Sequence, residues 1–527
     1  MKKALALLLT AAIGLSLAAC GSAQTGTAPA ADSAAETVSE AAPADEAEAV
    51  SGDYDEIEVM FWAPNGVPVD TDLVEEAINE ITREKAGLEI NLNLSEMASY
   101  ITQVNLYMSA GTQIDLMVTL PGGPAHFNSM SSLNQLEDIT DLLPEYAPDV
   151  LPLLPDGWLD ATKINDRIYA VPTLNDKTSR FAFVCRTDIL EETGVDPATI
   201  KTADDIRDLC LKAKELHPEM KNIIATGTNK VIAGSFLIND DGKFVQFDGL
   251  GDGDNQLINI LEGDGTTIHN TYEREEYVHT CEVLREWYEL GLISKDAPIY
   301  GGAAEETISM GDAFGEFQTY PEGTVLTSSS NFGHDMTLIY LVDNALITTG
   351  GLRQFTWAVP TTAQEPEAAL RFLNLLYTDP EVINLITWGI EGEHYQVMED
   401  GTIDFVNGEN ATTCKYYVGW PFLGNSFLDG VLVRYGNAPD LPAIRYASNH
   451  SANVTEFNGF SFNTDDLANQ ITVITSTVSE YRPSLACGQY TEERYNEFLT
   501  KLKDNGADEY IATVQEQLDA WLAAKGE

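Results

Sequence analysis

Between Glu56 and Thr119 the apolar residues switch back and forth between a period of two and a helical period, and this restricts the fold more than any other feature of the chain. Ile57, Val59 and Phe61 alternate within Glu56–Trp62 and predict a strand. Asp70-Thr71 is placed to cap a helix carrying Val74, Ala77, Ile78 and Ile81 on one face, with Gly87 at its end. Leu88, Ile90, Leu92 and Leu94 alternate as a second strand, Ala98 to Ala110 reads as a helix stopped by Gly111, and Ile114 to Thr119 is an almost wholly apolar third strand. The order β-α-β-α-β builds a mostly parallel sheet with helices on both faces. Ligands of such sheets bind beyond the carboxyl ends of the strands. Those ends are Trp62-Ala63-Pro64-Asn65, Ser95-Glu96-Met97 and Thr119-Leu120-Pro121-Gly122-Gly123.

The pattern restarts after Ile168-Tyr169-Ala170-Val171-Pro172. Thr202 caps a helix with Ile206, Leu209, Ala213 and Leu216 on one face, Ile223 to Thr226 reads as a short strand, and Asn239-Asp240-Asp241-Gly242 as a hairpin turn. A helix over roughly 273–290 carries Tyr277, Leu284, Trp287 and Tyr288. Phe355–Val359 reads as a returning strand, 366–377 as a helix, and Asp379-Pro380-Glu381 as the start of the next, with Asp as cap and Pro at the first position. Two amphipathic helices close the chain, one with Tyr495, Phe498, Leu499 and Leu502, the other with Ile511, Val514, Leu518, Trp521 and Leu522. The expected fold class is α/β in two lobes, since the folded part is too long for one ordinary core.

The amino end sets the expected compartment. Lys2-Lys3, the short apolar run from Ala4 to Ile13, and Leu17-Ala18-Ala19-Cys20 form a lipoprotein leader, removed at residue 19 so that the Cys20 thiol receives a diacylglycerol. Two or three acyl chains hold where one does not, each buried CH₂ contributing about 0.8 kcal/mol. Residues 20–52 are Ala, Ser, Thr, Pro and acid, and read as a disordered tether with a mean reach of roughly 30 Å. The expected location is the extracytoplasmic face of the cell membrane, on a Gram-positive cell surface, with the membrane met through the lipid alone. The chain has 29 basic and 83 acidic residues and a net charge of −54. That balance opposes nucleic-acid binding. Five cysteines besides Cys20 are far apart, without a CxxC or a Cys/His cluster, and read as buried thiols with room for one bridge.

Three local matches carry a family likeness. Lys163-Ile164-Asn165-Asp166-Arg167-Ile168-Tyr169-Ala170-Val171-Pro172 resembles the G-K-x-Y-A-x-P crossover of the bacterial extracellular solute-binding proteins of the maltose-binding type (family 1), with Asp166-Arg167 in place of Gly-Lys. Glu365 to Asn374 resembles their return into the first lobe. Trp388 to Tyr395, Trp420 to Phe427 and Phe457 to Phe462 resemble the C-terminal region of a large lipoprotein subfamily that accompanies sugar importers. The resemblance implies a periplasmic-binding-protein-like fold with hinge crossovers, 53–172 and 343–415 forming an N-terminal lobe and 173–342 and 416–527 a C-terminal lobe. It also implies a monomer that captures an oligosaccharide for the permease subunits of an ABC-type importer, with no cofactor.

A saccharide site needs aromatic platforms and bidentate polar side chains. The candidates are Trp62, Asn65 and Glu96 at strand ends, Asn175 and Asp176 after the crossover, Glu316, Gln318 and Tyr320 in the second lobe, and Trp388 and Trp420 beside the glycine-rich motifs. Trp287 and Trp521 lie on apolar helix stripes and Trp357 within a strand, and all three read as core. The chain lacks His-Glu-x-x-His, GxSxG and P-loop motifs, so no catalytic residue is assigned. Asp248-Gly-Leu-Gly-Asp252-Gly-Asp254 lacks the bidentate Glu of a calcium loop and reads as an acidic surface loop, with no metal assigned. The competing readings are a binding protein for a peptide or other solute, a surface glycosidase, and a purely structural lipoprotein.

Overall fold

The computed structural model describes residues 54–526 apart from 228–235, 253–255, 329, 420–422 and 464–466. The leader, Cys20, the tether, Asp254 and Trp420 lie outside the described residues.

The predicted opening is present. β1 (Asp55–Trp62), α1 (Thr71–Lys85), β2 (Leu88–Ser95), α2 (Met97–Ala110) and β3 (Leu116–Val118) follow in order. β1 lies parallel to β2, from Asp55 opposite Leu88 to Trp62 opposite Ser95, and parallel to β3 on its other side. From Val59 onward β1 is buried on both faces, as the interior strand of a covered sheet must be. Two details differ from expectation. The third strand is only three residues long; just ahead of it the Asp115 N–H donates to the Glu58 carbonyl at 2.9 Å, and its buried carboxylate accepts the backbone N–H groups of Glu58 (2.8 Å), Gln364 (2.7 Å) and Glu365 (2.9 Å). Asp70 precedes α1 without capping it, and its carboxylate instead faces His394 Nε2 at 3.4 Å.

A hairpin of β4 (Lys163–Ile164) and β5 (Arg167–Ile168) turns at Asn165 and Asp166, both at positive φ as a tight two-residue hairpin requires. β6 (Val171–Pro172) then joins the first sheet, and the chain crosses to β7 (Arg180–Arg186) and α3 (Ala203–Leu216). Thr202 and Asp205 cap α3 reciprocally. Leu216, expected on the buried face, is exposed at the last turn, where the helix has passed the core. Ile223 to Ala225 are buried but form no strand; Ile224 makes single bridges to Ile293 and Gly315, so the run is too short to ladder. β8 (Phe236–Ile238), β9 (Phe244–Asp248), β10 (Ile258–Leu261) and β11 (His269–Asn270) form an antiparallel sheet that turns at Gly242 as predicted.

After α4 (Glu275–Glu289) and α5 (Ala304–Ser309), β12 (Gly315–Tyr320) and β13 (Met336–Tyr340) flank β7 antiparallel on either side. β14 (Leu346–Ile347) and α6 (Thr349–Arg353) lead back to β15 (Thr356–Ala358), which inserts antiparallel between β3 and β6. The first sheet is therefore ordered β2-β1-β3-β15-β6. α7 (Pro366–Thr378) and α8 (Pro380–Trp388) cover it, with Asp379 capping α8 through the Glu381 N–H. The hairpin β16 (Tyr395–Val397) and β17 (Ile403–Phe405), α9 (Leu441–Ser451), β18 (Asn453–Val454) and the helices α10 (Ala468–Leu485), α11 (Glu492–Asp504) and α12 (Ala507–Lys525) complete the chain.

Three main cores result. The first joins β1–β3, α1 and α7 and takes in Trp158, Trp357, Tyr416, Val418 and Leu423. The second packs Phe181, Phe183 and Phe317 of the β12-β7-β13 sheet against α3 and the Leu284 and Trp287 end of α4. The third packs the other end of α4, Tyr277 and Cys281, against β9, β10 and α10–α12. Trp287 and Trp357 are core as expected, whereas Trp521 is only partly buried, edge-on to Phe460. The five cysteines described are all free. The Asp248 loop departs from its reading as surface. Asp248 accepts from Thr455 Oγ1 (2.6 Å) and the Leu250 N–H, and Asp252 from the Leu257 N–H (2.6 Å) and the Tyr510 hydroxyl, so both are buried acceptors, tying the loop to Thr455 and to α12.

Trp357 Nε1 donates to the Leu423 carbonyl at 2.6 Å inside the first core. Trp357→Phe leaves that buried carbonyl unpaired and is expected to lower unfolding free energy by about 1–3 kcal/mol in chemical denaturation, with Trp521→Phe changing it less.

Candidate functional site

The sheet order brings both crossovers to one edge. β1, β2, β3 and β6 end there and β15, running the other way, begins there. Thr119 and Thr356 close the β3–β15 junction with a 2.7 Å hydroxyl pair, and Thr173 Oγ1 donates to the Phe355 carbonyl at 2.7 Å. Trp62 lies at this edge, mostly buried, its ring 5.8 Å from that of Phe355, which sits at positive φ. Beside it, the Ser95 hydroxyl is buried without a hydrogen-bond partner among the described residues. Glu96 stands in solvent ahead of α2 and does not cap it.

Asn65 points elsewhere. Its Nδ2 donates to the Val418 carbonyl at 3.1 Å, and the Val69 and Asp70 N–H groups donate to Lys415. The β1–α1 loop is thus laced to residues 415–418, where Tyr417 packs on Trp388 with ring centres 5.8 Å apart. Asn65 and Trp388 therefore meet at one segment. Trp388 is 6 % exposed, within an aromatic group with Tyr395, Phe405 and Tyr417 under Arg434, whose guanidinium lies 4.7 Å from the Phe405 ring centre.

Asn175 and Asp176 occupy the first crossover, but they face inward. Asn175 is buried, its Oδ1 3.4 Å from Thr173 Oγ1. Asp176 Oδ1 accepts from the Thr178 N–H (2.7 Å) and Oγ1 (2.8 Å), and its Oδ2 lies 3.7 Å from Arg445 Nε of α9. Asn449 of the same helix accepts the Lys177 N–H at 2.8 Å, and Lys177 Nζ reaches the Gln354 carbonyl of the second crossover at 2.8 Å. The two crossovers and α9 are thus one hydrogen-bonded unit. Cavities flank α9 on two sides. One of about 530 Å³ is lined by Arg180, Glu322, Asp343, Asn344, Ile444 and Ser448. The other, about 290 Å³, is lined by Leu154, Leu174, Asn425, Phe427, Tyr446 and His450. None of the residues chosen from the sequence lines either cavity.

Glu316, Gln318 and Tyr320 do come together, at alternate positions of β12 on one face of the second sheet. Glu316 is 4 % exposed; Gln318 and Tyr320 are half-buried. Burial first, and the nearby Glu305 carboxylate second, push the Glu316 carboxyl up to about 8. The same face carries Tyr340, over which the Arg180 guanidinium stacks at 3.9 Å while it pairs with Glu322. Sequence reasoning missed Phe355, Tyr340, Tyr417, Arg434 and Asn449. Phe355 and Tyr417 stood beside residues already singled out, whereas Tyr340 and Asn449 carried no local signal.

Residues 65–278 match the family described as bacterial extracellular solute-binding protein, and 456–523 match a domain of unknown function. A carbohydrate ABC transporter substrate-binding protein of Streptococcus pneumoniae serotype 4 is 23% identical over 463 residues, 85% of this chain and 87% of that protein. The crystal structure of the N-glycan transport solute-binding protein of the same species superposes with a TM-score of 0.73 at 21% identity, covering 89% of this chain and all of that one. The pneumococcal ABC-transporter substrate-binding protein FusA, as an EF-hand mutant in complex with fructo-nystose, gives a TM-score of 0.60 at 16% identity over 89% of this chain and all of its own.

Asn449→Ala removes the acceptor of the buried crossover and is expected to cost about 1–3 kcal/mol in chemical denaturation. Glu96→Ala, in solvent, should stay within about 0.5 kcal/mol of the parent.

Proposed function

We propose that this chain, a bacterial extracellular solute-binding protein of family 1, captures a neutral oligosaccharide for an ABC-type importer and holds it between two lobes hinged at the crossovers. The observation that carries the reading is the match of a carbohydrate ABC transporter substrate-binding protein across 85% of the chain. The pneumococcal N-glycan transport protein, which shares the fold, forms complexes with Man1GlcNAc and Man5GlcNAc. The local chemistry supports the same class. Trp62 and Phe355 offer an aromatic platform at the carboxyl edge of the first sheet, and Gln318, Tyr320 and Glu316 offer hydrogen-bonding groups on the second. Saccharides ask for that combination. Closure would follow if a ligand contacts both lobes, because only differential contacts bias an open–closed equilibrium. The lobes take the boundaries 53–172 with 343–415, and 173–342 with 416–527. The protein acts by binding, without turnover, and Cys20 anchors it to the outer face of the membrane beside the permease. In this reading Asn65, Asn175 and Asp176 shape the loop and the hinge, while Trp62, Glu96, Trp388 and Trp420 remain candidate contacts.

Thermal scans of residues 21–527 against a panel that includes Man5GlcNAc, fructo-oligosaccharides and peptides test the ligand class. A ligand at 100 times its Kd should add about 2.7 kcal/mol, and the sugar should be recovered unhydrolysed. A shift with peptides alone would overturn the saccharide assignment. For the anchor, Cys20→Ala should move the protein from the membrane fraction to the medium or a soluble fraction; retention on the membrane would refute lipidation at that position.

A further inference from the structure

Glu316 lies where a fold gains nothing from a carboxylate. Directly across from it on β7 is Val184, and Leu338 of β13 is the next residue in that row. Ala304 and Ile308 of α5 join Ala182 and Val184 in the apolar cluster on this face. The side chain is buried and its Oε1 has no hydrogen-bond partner among the described residues. The charge that acts on it is Glu305 of α5, an acid, which opposes ionisation. Tyr320 on β12 is held as a neutral phenol by burial and by the same two carboxyls, and Arg180 at the far end of the face is engaged by Glu322 and Tyr340. Burying an unpaired acid costs stability, and an apolar residue at this position would remove the cost. A group kept at such a cost, at the head of a polar row that continues through the more open Gln318 and Tyr320, has the character of a binding contact waiting for its partner.

We propose that Glu316 contacts the ligand as a neutral carboxyl, exchanging hydrogen bonds with a hydroxyl of an uncharged saccharide, so that alkaline pH releases the ligand. The proposal rests on the saccharide reading above. A carboxyl can donate through its O–H and accept through its carbonyl, which matches a sugar hydroxyl's own capacity to accept and donate. Ionisation would remove the donor and leave a buried charge against the ligand. The sign follows directly: the group is protonated below about 8, so affinity is full there and falls as pH rises through that value.

Two measurements test this. Infrared difference spectra of the ligand-free protein, parent against Glu316→Gln, should show a protonated carboxyl band at pH 7 that the variant lacks; an ionised Glu316 at pH 7 overturns the proposal without any ligand. Calorimetric titration with Man5GlcNAc, or with whichever panel oligosaccharide gives the largest thermal shift, should show Kd weakening about tenfold from pH 7 to pH 9, in step with the protonated fraction. Glu316→Gln should bind with a flat profile over that range. Glu316→Leu, shown folded by circular dichroism and thermal denaturation, should lose binding at every pH. A flat parent profile, affinity that rises with pH as a cationic ligand would give, or undiminished binding by Glu316→Leu each overturns it. Silence across the whole panel sinks the saccharide reading and this contact with it. The infrared result then still reports separately whether the carboxyl is neutral.

Discussion

The insertion of β15 between β3 and β6 holds the rest of the candidate site in place. Strands that leave a sheet on one side and return from the same side must pair antiparallel, and Trp357 opposite Val118 and Val171 does this. The pairing puts the ends of β6 and the start of β15 at the edge where β1, β2 and β3 end. Both crossovers, the Trp62–Phe355 ring pair and the Thr119–Thr356 hydroxyl pair therefore converge without needing a special loop. Inside the core, the indole of Trp357 donates to the Leu423 carbonyl, and Tyr416, Val418, Leu423 and Val431 pack into the same core.

Buried polar groups do much of the long-range tying. Asp115 gathers amides from β1 and from the approach to α7. Asp252 joins the β9–β10 region to α12 through Tyr510. Arg353 donates to the Ala161 carbonyl at 2.6 Å and to Ser461 while lying over the Phe127 ring, so it fastens the second crossover to two distant segments, and burial draws its guanidinium down to about 9. Each of these groups is satisfied by several partners, which is the condition under which a buried polar group specifies a structure instead of weakening it. Glu316 stands apart from them because its Oε1 has no hydrogen-bond partner among the described residues and its neighbours in the row are apolar.

The two crossovers are tied to each other in a similar way. Asp176, Lys177 and Thr178 each contact α9 or the second crossover, so both connections and that helix share one set of polar contacts. The cavities lie on either side of α9.

What the sequence determined by itself is what depends on near neighbours. Periodicity located β1, α1, β2 and α2 to within a residue or two, because alternation and helical spacing are local consequences of which face is buried. Gly242, Thr202 and Asp379 marked turns and caps for the same local reason. The strand alternation of Glu316, Gln318 and Tyr320 was also legible, since it needs only the period of two. Tertiary structure alone decided how far β3 extends, where Asp70 and Asp248 point, that Asn65 bonds to the Val418 segment and that Asn175 and Asp176 face inward at the first crossover. Those outcomes depend on partners up to more than 300 residues away, such as His394 for Asp70 and Val418 for Asn65. A polar side chain takes the best acceptor or donor the folded chain brings within 3 Å or so, and no local pattern records which segment that will be.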